Sequence, residues 1–98
     1  MVWGVKMAEI VKNNKNFLVI KLSKIEYVAV SDSFGMCDIC NNFDINNNFY
    51  YIAILDQFYC ETCYNAWYSG ATHYKVDMQK ERNFFYNIEK KLKAMGVL

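Results

Sequence analysis

The chain has 98 residues, enough for one domain with a modest core but too few for two. Hydrophobic residues are 54% and aromatics 17%, which excludes a disordered, purely solvating segment. Eleven Lys and Arg against ten Asp and Glu leave a formal charge of +1, spread along the chain, so net charge offers no argument for nucleic acid.

In chain order, Met1 to Ile10 carries Lys6 and Glu9 and no unbroken apolar stretch, which predicts no secretory signal. Residues 1–12 fit a strand and a helix about equally, and Met1 and Met7 are both possible starts. Asn13 to Asn16 make a polar break. Phe17–Leu22 and Ile25–Val30 are β-branched and aromatic, and both are expected to be strands of a hairpin or short meander. Ser31, Asp32, Ser33 and Gly35 are turn formers that lead into Cys37-Asp38-Ile39-Cys40. Asn41 and Asn42 follow, at a place where a knuckle needs left-handed backbone. Asn46, Asn47 and Asn48 predict another turn. Phe49–Leu55 predicts a buried strand, far shorter than the roughly 20 residues of a membrane-crossing helix, and Asp56-Gln57 a reversal. After Cys60-Glu61-Thr62-Cys63, the run to Tyr68 reads as a short helix stopped at Gly70. Residues 71–78 are expected to be irregular. From Gln79, Phe84, Phe85, Ile88, Leu92 and Met95 recur at near-helical spacing, which predicts an amphipathic helix over 79–95 that packs on the rest or meets a partner or second copy. There is no proline.

Cys37, Cys40, Cys60 and Cys63 are the candidate metal ligands. Two cysteines three apart can turn both sulfurs onto one ion, and the 19 residues from Asn41 to Tyr59 fall within the spacing of a four-cysteine zinc site. Redox pairs would need a βαβ setting that is absent from the pattern, and a rubredoxin-type iron centre usually has knuckle glycines on both pairs. In a reducing compartment such thiols stay free for metal, so the expectation is a cytoplasmic chain with one structural Zn2+. Four thiolates close the ion to water and substrate, and with its charge included the loaded protein is near neutral or slightly acidic.

A first CxxC in a knuckle, a strand-rich loop and a second CxxC opening a helix resemble the treble-clef class of zinc modules over about 36–70. The expected fold is therefore α+β: N-terminal strands over 1–35, a zinc-binding module over 36–70 and the C-terminal helix, in a single domain. Treble clefs serve ribosomal, transcriptional, chromatin and protein-docking roles alike, so the resemblance implies metal far more specifically than function. Phe49 to Trp67 also resembles short uncharacterised proteins of gut bacteria and their phages or mobile elements, which implies no activity. The extra ligand pairs of two-zinc LIM and RING domains are missing.

His73, the single histidine, is expected on the surface or in packing, because neither a nuclease-type hairpin nor a second metal constellation accompanies it. Tyr50, Tyr51, Phe58, Tyr59, Tyr64, Trp67, Tyr68 and Tyr74 are expected to wrap the metal and fill the core more than to stack on bases. Lys90, Lys91 and Lys93, on a stretch of mixed signs, are expected to be a solvated face. No set of acid, base and nucleophile supports an enzyme. The leading expectation is a protein-binding or regulatory adaptor, with homodimerisation and a phage or mobile-element origin left open; the alternative is a nucleic-acid-binding module using those lysines and exposed tyrosines.

Overall fold

The computed structural model describes residues 8–31, 35–41 and 48–98. Three chain reversals organise it. Asn13 builds the first: its Oδ1 accepts the N–H groups of Lys15 and Phe17 at 3.1 and 3.0 Å, and its Nδ2 donates to the Phe17 carbonyl at 2.8 Å. With Asn16 at φ 67°, the polar break becomes a fixed loop between β1 (Glu9–Val11) and β2 (Val19–Leu22). The second, Ala53–Asp56, joins β3 (Phe49–Ile52) to β4 (Gln57–Cys60), with Asp56 at φ 54°. The third is the metal knuckle described below.

The four strands form an antiparallel sheet in the order β1-β2-β3-β4, with Ile20 opposite Ile10 and Tyr51, and Tyr51 opposite Phe58. Opposed residues share a face. One face therefore carries Ile20, Leu22, Phe49, Tyr51 and Phe58, and the other Val19, Lys21, Tyr50, Ile52 and Tyr59. The first lies under α1 (Lys24–Ser31) and α3 (Met78–Ala94): Tyr27 stacks on Phe58 at 4.2 Å, and the Tyr51 hydroxyl lies 3.2 Å from the Phe84 carbonyl. The second lies under α2 (Glu61–Gly70), whose Tyr64 stacks on Tyr50 at 4.4 Å and whose Trp67 meets Phe17 at 4.7 Å. Val19, Ile20, Phe49, Tyr51 and Ile52 are fully buried because the sheet is covered on both sides. The α+β architecture with its C-terminal helix is as expected.

Two expectations are corrected. Ile25–Val30 belongs to α1, not to a strand. Ser23 and Glu26 form a reciprocal capping box, the Glu26 N–H donating to Ser23 Oγ at 3.2 Å and the Ser23 N–H to Glu26 Oε1 at 2.8 Å. That cap starts the helix despite its β-branched residues, and Tyr27 and Val30 turn inward while Ile25 and Val28 face out. The strand expected over Phe49–Leu55 stops at Ile52, since Leu55 N–H bonds back to the Ile52 carbonyl and Asp56 N–H to that of Ala53. Of residues 71–78, expected to be irregular, Lys75–Asp77 form a 3-10 turn and Met78 opens α3. The α3 helix ends on Gly96 at φ 78°, where Val97 N–H reaches the Leu92 carbonyl and Gly96 N–H that of Lys93. Expectations for 1–7, for Asp32 and Ser33, and for Asn42, Asn46 and Asn47 lie outside the described residues.

No helix among the described residues is long and apolar enough to cross a membrane.

Candidate metal centre

Cys37 and Cys40 sit in a turn that closes when Asn41 N–H donates to the Cys37 carbonyl at 2.9 Å. Asn41 takes the left-handed backbone expected of it, φ 59°. Cys60 ends β4 and precedes α2 as its N-terminal flanking residue; Cys63 lies in the first helical turn. Strand and helix thus meet the knuckle at one point.

The four Sγ atoms all lie within 4.8 Å of one another, and those of Cys40 and Cys60 are 3.9 Å apart. Tetrahedral zinc with Zn–S bonds of about 2.3 Å requires sulfur separations of about 3.8 Å. The donor set fits a single metal ion. All four cysteines are free thiols, with Cys37 and Cys60 buried and Cys40 exposed.

The surroundings favour negative charge on sulfur. Cys37 Sγ accepts N–H groups from Ile39 at 3.4 Å and from Cys60 at 3.3 Å. Burial pushes the Cys37 thiol up, but backbone hydrogen bonds from Cys40, Cys60 and Ile39, with a further bond from the Cys40 thiol, outweigh it and bring it down to about 7. Cys63 behaves oppositely: burial, then its sulfur neighbours, push it up to about 12. Burial also raises Cys60. Four sulfurs this close cannot all ionise unaided, and a dication at their centre removes that conflict.

Asp38 fixes the knuckle to the sheet. Its N–H donates to the Phe58 carbonyl at 2.9 Å, and its Oδ2 accepts the Phe58 N–H at 2.7 Å. Both Phe58 groups point away from β3, so the knuckle occupies the outer edge of β4. Sequence reasoning passed over Asp38; an acid just inside a CxxC loop carries no distinctive spacing.

His73 is a packing residue. Its Nε2 lies 2.8 Å from Glu81 Oε1, its ring meets Phe17 edge-on at 5.0 Å, and Glu81 Oε2 accepts the Leu18 N–H at 2.9 Å. Glu81 is only 2% exposed, so this bond network satisfies a buried carboxylate. The aromatics also behave as core. Tyr51, Phe58, Tyr59 and Tyr64 are buried, while Tyr74 is exposed.

No protein-family model, curated protein or solved structure matches this chain.

Proposed function

We propose that the chain is a single-zinc, treble-clef-like binding module in which the ion is structural and no reaction is catalysed. The observation that carries this reading is the convergence of Cys37, Cys40, Cys60 and Cys63 from a knuckle, a strand end and a helix start. An all-sulfur tetrahedron is the ligand set of structural zinc and leaves no coordination position for water. Knuckle, β3–β4 hairpin and α2 follow the treble-clef order. Free thiols in this arrangement suit a reducing compartment such as the cytoplasm.

Elemental analysis of protein purified under reducing conditions tests it. One zinc per chain is the expected result, with loss of metal and of cooperative unfolding in Cys60→Ser, because binding energy of the ion is folding energy in so small a domain. Stoichiometric iron with visible thiolate-to-metal absorption would overturn the zinc assignment. Absence of any bound metal would overturn the module itself.

A further inference from the structure

On the reading that this is a binding module, we propose that the outer face of α3 is a docking surface for single-stranded nucleic acid. The sequence shows mixed signs along this helix, but the fold sorts them. Glu81 turns inward, 2% exposed and held by His73 and the Leu18 N–H. Glu89 is partly buried, its side chain 18% exposed, and bonds Lys93 at 3.5 Å. Lys80, Arg82, Lys90, Lys91 and Lys93 all remain exposed. Glu81 is thus withdrawn from solvent and Glu89 is paired with Lys93, so cations outnumber the one partly covered carboxylate on the solvent side of the helix.

The stripe opposite buried Ile88 and Leu92 reads Arg82, Asn83, Tyr86, Asn87, Lys90 and Lys93. Tyr86 is 68% exposed, and it lines a shallow groove with Glu89, Lys90 and Lys93. Cations for phosphate, amides for base edges and one ring for stacking occupy a single face. From Arg82 to Lys93 the helix rises about 17 Å, the length of about five nucleotides of a stacked strand at about 3.4 Å each. A protein interface would want buried apolar anchors, and the stripe offers only Tyr86. A membrane-lying helix would want an exposed apolar face, and the apolar face of α3 is turned to the sheet. A ring projecting among lysines suits an unpaired base better than a stacked duplex.

The test uses the zinc-loaded full chain and fluorescein-labelled oligothymidylate of about 20 nucleotides, followed by anisotropy at about 50 and 200 mM salt. Binding at the lower salt that weakens steeply at the higher is expected. Lys90→Gln with Lys93→Gln should weaken it about tenfold and shallow the salt slope by about 1.4, two cations at roughly 0.7 each. Tyr86→Ala should weaken it about tenfold through lost stacking, whereas Lys12→Gln, an exposed charge on the β1–β2 loop, should leave it unchanged. Zinc content and circular dichroism of each variant separate failure of this surface from failure of the metal module. No binding at about 50 mM salt would sink the proposal and return the molecule to the protein-adaptor reading. Equal binding of a matched duplex with no effect of Tyr86→Ala, or binding only to phosphatidylserine vesicles, would sink it too.

Discussion

At the scale of single residues, the centre depends on groups beyond its four ligands. Asp38 couples the first knuckle to β4 through both its amide and its carboxylate, so Asp38→Ala removes an acceptor from the Phe58 N–H. A loss of about 1–2 kcal/mol is expected, with weaker metal retention in chelator competition. Replacing Glu81 by Ala removes the partner of both His73 and the part-buried Leu18 N–H, and should lower stability by about 2–3 kcal/mol in urea titration; Glu81→Gln, which keeps an acceptor for Leu18, should cost less. Metal affinity should also follow pH with a definite sign. Zinc binds thiolate, and at neutral pH it must expel the protons that burial and crowding hold on Cys60 and Cys63. Cys37 joins them only below about 7. Affinity should therefore fall with acid, more steeply below that value than above it, and chromophoric-chelator competition about one pH unit on either side measures the change in slope.

At the scale of elements, two caps invite direct measurement. Ser23→Ala breaks the reciprocal cap of α1 and should reduce stability by about 1 kcal/mol. Gly96→Ala meets no atom within 4 Å, so its cost, about 1 kcal/mol, isolates the left-handed backbone that ends α3. Thermal melts of both variants compare the two ends. The same caps explain what the sequence made legible. Phe84, Ile88 and Leu92 with a following glycine mark α3 because periodicity and stop signal agree. Over Ile25–Val30 the signals compete: β-branched composition points to a strand, while Ser23 and Glu26, three apart, point to a helix start. Pairing between the two, readable in principle, outweighs the weak intrinsic propensities of the residues that follow. Likewise Ile54 and Leu55 extend the apolar run of β3, but the backbone turns at Ala53, and side-chain type alone does not encode that bend.

For the molecule as a whole, the four-cysteine set was legible because its spacing is a local statement about ligand reach. The enclosure of the sheet by α2 on one face and by α1 and α3 on the other was not, since it depends on which aromatic meets which across long separations: Tyr50 with Tyr64, Tyr27 with Phe58. Nor was the sorting of charge on α3, because Glu81 looks like any other acid until its partners are known. An ion held by the four cysteines would join the knuckle to the covered sheet through β4 and α2. Chelation should accordingly abolish a single cooperative transition, not melt one loop, and calorimetry before and after a strong chelator distinguishes these outcomes.

The Asp38 clasp on Phe58 has one more effect. With an ion holding the first dithiol turn in place, the outer groups of β4 at Phe58 would stay occupied and closed to pairing with a neighbouring chain. Stripping the ion frees that border, and an open, aromatic-rich strand margin recruits further strands. Demetallated protein should then self-associate into β-rich aggregates as its concentration rises, and a bound cation would guard against polymerisation as well as cross-link the fold.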